Sequence, residues 1–155
     1  MSAASSLSSE SSPSSSSSGL SAAAAASATH ATRVVALERL ALDFALNLRH
    51  GRMAAVMLFN IDRFQNVNNA RGQEVGDRLL RAVGQRLQGL LRAGDGMAHL
   101  SADEFVLLFH ELGADAETAS RHALTVAENI HAALADPIVL AGEADAVTIT
   151  ASLGI

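Results

Sequence analysis

Residues 99–109, HLSADEFVLLF, place two adjacent carboxylates, Asp103 and Glu104, between apolar runs that read as strands. Paired negative charge at a hairpin tip has two physical readings, a solvated turn or a set of hard oxygen ligands for a cation. Other polar residues stand out along the chain. Asn60 lies near the end of the apolar run of 53–61 and Asp62 just past it, Asn68 and Asp77 lie in the polar stretch beyond, and Arg92 and Asp95 sit just before the hairpin. Each has a plain alternative. Asn and Asp are favoured in turns and helix caps, and an Arg before Gly-Asp suits a last helical turn. His99, His110, His122 and His131 lack metal-ligand spacing and read as surface or strand-edge residues. No GxSxG elbow supports a hydrolase.

The elements that must position these residues are legible from periodicity. Leu37, Leu40, Ala41, Phe44, Ala45 and Leu48 form the stripe of an amphipathic helix ending near residues 49–52. The continuous apolar run 53–61 predicts a central strand buried on both faces. A polar connection with one helical turn is expected next, then a long helix marked by Leu79, Leu80, Val83, Leu87, Leu90 and Leu91 and stopped at Gly94 and Gly96. Residues 96–100 and 105–111 form the hairpin. A third helix over 115–135 turns Ala123, Val126, Ala127, Ile130 and Leu134 inward and closes at Pro137. Residues 137–142 and 146–155 are expected strands, the last with Thr148, Thr150 and Ser152 on its more polar face. The order predicts an α+β sandwich, a mainly antiparallel sheet with helices packed on it, close to the ferredoxin-like βαββαβ pattern.

Composition narrows the function classes. Of 155 residues, 1–31 form a Ser/Ala-rich tail or linker with too little apolar side chain to order, leaving about 125 for one domain over 32–155. Absence of Cys removes disulfide scaffolds and thiolate chemistry, and makes a cytoplasmic setting the expectation. A net charge of -5 argues against a general nucleic-acid binder. No apolar run reaches the roughly 20 residues of a membrane span, and no basic residue precedes Arg33, so no signal peptide is expected.

Taken together, LFNIDRFQNVNNARGQEVGDRLL, then RAGD, then five residues, then SADEF, then TASLGI, resemble the GGDEF family of diguanylate cyclase domains. The resemblance implies a nucleotidyl-cyclase palm-like fold in which two subunits, each holding a GTP with Mg²⁺, meet face to face and produce cyclic di-GMP. Carried over residue by residue, it places metal contacts at Asn60, Ile61 and Asp103 and the chemistry-associated carboxylate at Glu104. Substrate contacts fall on Asn68, Asp77 and Ala102, and the product-inhibitory RxxD pair on Arg92 and Asp95.

The departures from the family pattern are as informative. Asn60 replaces a metal-binding Asp, removing one compensating charge. Asp62 matches the second acidic position and is expected not to face the way Asn60 does. Ser101 and Ala102 replace two glycines, so a Cβ is expected to oppose both a positive φ and close approach of a ligand. Gln65 and Gln73 replace Lys and His, and Asn129 replaces an Arg that supports the inhibitory site. Ile155 lies in the last strand, so the domain is expected to lack the family's final helix and to belong to a longer protein, such as one carrying an EAL phosphodiesterase domain. The reading is a degenerate, regulatory GGDEF-like domain that senses GTP or cyclic di-GMP and pairs as a homodimer through its GGDEF face. An active cyclase and a non-binding dimerisation scaffold are the alternatives.

Overall fold

The computed structural model describes residues 34, 35, 37–42, 44–46 and 51–155. The tail expected over 1–31, the onset of order near Thr32 and the helix end near 49–52 lie wholly or partly outside the described residues. The described residues between 34 and 46 are helical (α1). They are followed by β1 (Met53–Ile61), α2 (Phe64–Arg71), α3 (Gln73–Gln88), β2 (Gly96–Ser101), β3 (Glu104–Gly113), α4 (Ala116–Ala135) and β4 (Ala151–Gly154). The sheet order is β2-β3-β1-β4 with every pair antiparallel, the strand arrangement of the predicted ferredoxin-like sandwich.

β1 is central because it has ladder partners on both edges and an apolar inner face. Met57, Phe59 and Ile61 are fully buried against Val75, Leu79, Val83 and Leu87 of α3 and Ala123, Ala127, Ile130 and Leu134 of α4. Phe59 meets its register partner Phe105 edge to face, with centroids 5.8 Å apart. The opposite face is covered only in part. Leu40 of α1 packs there on Leu100, Val106 and Leu108 of the hairpin, while Val56 and Leu58 remain about half exposed. Burial of β1 on both faces, expected from its unbroken apolar run, therefore holds for one face only.

Three boundaries differ from the sequence expectations. The polar connection contains a full helix, α2, because Arg63 in left-handed conformation (φ 57, ψ 27) redirects the chain directly from β1 into it. The helix after it begins at Gln73, next to Gly72 (φ 88), and ends at Gln88 with Gly89 as its cap, before Leu90 and the expected glycine stops. The expected strand over 137–142 is reduced to a single bridge between Ile138 and Val147, and only Ala151–Gly154 of the last run pairs with β1. This segment is held by side chains instead of a ladder. Arg78 donates to the Ala141 carbonyl and, at 2.9 Å, to Glu143, while Arg71 lies 3.9 Å from the same carboxylate.

α4 is capped from both ends by polar groups. The Asp115 carboxylate accepts from the Thr118 backbone N–H at 2.9 Å. At the other end there is no basic residue in the last turn, and Arg86 of α3 supplies the cation, donating to the carbonyls of Ala133, Asp136 and Pro137. A cation there satisfies orphan carbonyls and the negative end of the helix dipole. Arg86→Ala is expected to destabilise the domain by about 1–2 kcal/mol, read as a lowered urea midpoint at unchanged slope; an unaltered midpoint would show that water replaces the guanidinium without loss.

Candidate functional site

The end of β1 is clamped between two neighbours. Asn60 pairs with Glu104 of β3 on one side and Ser152 of β4 on the other. The Ile61 N–H donates to the Asp103 carbonyl at 3.0 Å and the Asp62 N–H to the Thr150 carbonyl at 2.9 Å. Asn60, Ile61, Asp103 and Glu104 are thus brought to one sheet end. Direct cross-strand partners share a face, so Asn60, Glu104 and Ser152 lie on the face away from α3 and α4.

Asp62 shares that side, contrary to expectation. Its Oδ1 accepts from Ser152 Oγ at 2.6 Å and its Oδ2 from Thr150 Oγ1 at 2.8 Å. Residues two apart on a strand point the same way, and the alternation continues one residue past the end of β1. The Ser152 hydroxyl, then that of Thr150, holds the carboxyl of Asp62 below the ordinary value of 3.8. Both hydroxyls belong to the polar alternation visible in 146–155, but their common acceptor is set by the β1–β4 pairing.

The hairpin turn accommodates the two lost glycines. Among the described residues, the positive-φ positions other than glycine are Arg63 and Glu111, so neither Ser101 nor Ala102 requires the left-handed region. The expected backbone conflict at the turn does not occur. Two side-chain contacts brace it. Ser101 Oγ donates to Glu104 Oε2 at 2.7 Å, and His99 Nε2 lies 3.2 Å from the Ala102 carbonyl with its ring stacked on Phe105, centroids 4.5 Å apart.

The donor chemistry at this end of the sheet is Asp103 carboxylate, Asn60 amide oxygen and Ile61 carbonyl. Oxygen donors of this kind suit Mg²⁺. Among the described residues no group of three His, Cys, Asp or Glu side chains could hold a metal. The set fits Mg²⁺ in donor type, with one formal negative charge among its three members.

Asn68 lies in α2, where it meets α3 at Gly76, and Asp77 is the next residue of α3. A Cβ at Gly76 would lie 1.8 Å from Asn68 Oδ1, so only glycine admits this side chain. That oxygen is shut off from solvent and has no hydrogen-bond partner, an acceptor awaiting a donor. Asp77 is exposed and lines a cavity of about 370 Å³ with Leu80, Arg81, Gly84, His99 and Phe105.

Arg92 and Asp95 form a second cluster. Asp95 Oδ2 accepts from the Arg92 N–H at 2.8 Å and Oδ1 from the His110 N–H at 3.1 Å, so the aspartate is in the first instance a turn-forming residue. A cavity of about 290 Å³ is nevertheless lined by Arg92, Asp95, His110 and Asn129 together with apolar residues of β3 and α4. Of the four histidines read as surface or strand-edge residues, His110 is half-buried in β3 and its Nδ1 is unpartnered.

The chain matches the family model described as diguanylate cyclase, GGDEF domain, over residues 29–155. It is 36% identical over 106 residues to the diguanylate cyclase TpbB of Pseudomonas aeruginosa, covering 68% of this chain and 22% of that protein. It is 35% identical over 123 residues to the bifunctional diguanylate cyclase/cyclic di-GMP phosphodiesterase MucR of the same species, covering 79% and 17%. The chain thus spans about a fifth of the length of these relatives. The crystal structure of the TpbB GGDEF domain superposes with a TM-score of 0.67 at 31% identity, covering 76% of this chain and 69% of the other. Among the described residues no helix is long and apolar enough to cross a membrane.

The Asp62 clamp has a pH signature. Because its carboxyl is lowered in the folded state, its stabilising contribution is complete above the unfolded value of 3.8 and lost as pH falls through the lower folded value. The stability gap between wild type and Asp62→Asn, measured by urea denaturation, is expected to be present near about pH 5 and to close below 3.8. A gap independent of pH would mean that the ionised form makes no special contribution.

Proposed function

Because the chain belongs to the GGDEF family of diguanylate cyclase domains, we propose that it acts in cyclic di-GMP signalling as a catalytically impaired, regulatory domain that captures guanine nucleotides. The observation that carries this reading is the contrast between the two ends of the site. The positions matching the family's base contacts keep Asn68 and Asp77, and the Asn68 amide oxygen is itself a buried acceptor without a donor, whereas the position matching the metal-binding Asp at the end of β1 is the neutral Asn60.

In this proposal Asn68 and Asp77 orient the guanine through its hydrogen-bonding edge. Asn60, Ile61 and Asp103 would hold Mg²⁺, which when bound offsets the charge of a triphosphate. Glu104 is the carboxylate placed to accept a hydroxyl proton, and Ser101 Oγ engages one of its oxygens. Ala102, exposed at the turn, lies beside the nucleotide. Arg92 and Asp95 would hold the phosphate and guanine of cyclic di-GMP, and the two GTP-bearing faces would meet in a homodimer. With one carboxylate exchanged for an amide, electrostatic stabilisation of the transferring phosphoryl group falls short, and that stabilisation supplies most of such catalysis.

One observation favours the active-cyclase alternative: the hairpin turn forms without positive φ at Ser101 or Ala102, so Asp103 and Glu104 keep a regular position despite the missing glycines. Two measurements separate the readings. Incubated with GTP and Mg²⁺ or Mn²⁺, the protein is expected to give no detectable cyclic di-GMP; product formation abolished by Glu104→Ala would establish the active cyclase instead. By calorimetry, the triple variant Asn60→Asp, Ser101→Gly, Ala102→Gly is expected to gain about one to two decades of Mg²⁺-dependent GTP affinity, the scale of one charge-assisted contact. Equal affinity in two folded proteins would leave the scaffold reading.

A further inference from the structure

The cavity beneath the RAGD turn contains a group that the nucleotide-site reading does not use. His110 lies in β3, and its backbone N–H is fixed to Asp95 Oδ1. Its ring lines the cavity with Arg92 and Asn129, yet Nδ1 has neither solvent nor a hydrogen-bond partner. The Arg92 guanidinium is exposed and makes no ion pair with the described residues. α4 contributes Val126, Asn129 and Ile130 to the wall and no charged side chain. The cavity therefore offers one cation for an anionic group, one anchored carboxylate, and two further polar side chains, an amide and an imidazole.

We propose that His110 is a specificity-determining contact of this pocket, with its Nδ1 pairing to a hydrogen-bond donor on a bound guanine nucleotide, either the base amine or a ribose hydroxyl. The inference rests on the reading of the Arg92–Asp95 pocket as a nucleotide site. An unsatisfied ring nitrogen is costly while it stays unpaired, and rotation about Cβ–Cγ exchanges Nδ1 with Cδ2, so the orphan atom can turn to a ligand without backbone movement. Phosphate alone engages Arg92 and gains nothing from His110 in this arrangement. A ligand carrying both an anion and a donor edge gains from both, and Asn129, a short neutral amide, leaves room for it.

The test is calorimetry with cyclic di-GMP on wild type, Arg92→Ala, His110→Phe and His110→Asn, with thermal unfolding to verify that each variant is folded. His110→Phe, which keeps an aromatic ring but no nitrogen, is expected to lower affinity about tenfold, the scale of one hydrogen bond, and His110→Asn to recover part of it. Nitrogen-detected NMR of the histidine rings adds a readout that a packing role would not move: the His110 Nδ1 resonance is expected to shift on addition of cyclic di-GMP and to stay in place on addition of inorganic phosphate. If Arg92→Ala weakens binding while His110→Phe leaves it unchanged, His110 is a packing residue and this inference fails alone. If wild type binds no cyclic di-GMP, the pocket reading fails and the inference with it.

Discussion

The register of β1 between β3 and β4 is the constraint on which the rest depends. Its inner residues Met57, Phe59 and Ile61 are inaccessible to solvent, and a slip of one position would expose them and bury Leu58 and Asn60 instead. Fixing that register fixes the chemistry at its end. Asn60 must then stand between Glu104 and Ser152, and Asp62 must meet the hydroxyls of Thr150 and Ser152. Core packing and site geometry are therefore one and the same arrangement.

The site sits where regular structure gives way. β1 ends at Ile61 and α2 starts at Phe64, a reversal made possible by the left-handed Arg63, a conformation that costs an ordinary residue of the order of 1–2 kcal/mol. Immediately beyond, α2 and α3 approach so closely at Gly76 that the Asn68 amide oxygen is sealed in without a partner. Strain and an unsatisfied polar atom within a few residues of each other are features that packing alone would not favour. Both fall beside the positions proposed above to hold a nucleotide.

Arginine does much of the long-range fastening. Arg78 and Arg71 secure the loop before β4 through Glu143 and nearby carbonyls, and Arg86 closes the end of α4. The planar fork of guanidinium suits several carbonyls at once. This explains how the segment over 138–150, with a single β-bridge, still delivers Thr150 and Ser152 to Asp62.

The sequence by itself determined the fold class, the element order and the positions of the family motifs, because apolar periodicity and motif spacing are properties of the chain read one residue after another. It marked Asn60, Asp103, Glu104, Asn68, Asp77, Arg92 and Asp95 as the residues to watch. It could not assign Asp62 its direction, the Ser101 and Ala102 turn its backbone, or His110 its buried nitrogen. It also overstated the strands near the end, since the apolar alternation of 137–142 and 146–150 is equally compatible with a loop packed on the core by Ile138, Leu140, Val147 and Ile149. Those outcomes depend on contacts between residues separated in sequence: Asp62 with Ser152 and Asp95 with His110 through hydrogen bonds, and Asn68 through its packing against Gly76. Only the paired strands and the packed helices bring such residues together, so only the tertiary structure decided which polar groups are satisfied and which are not.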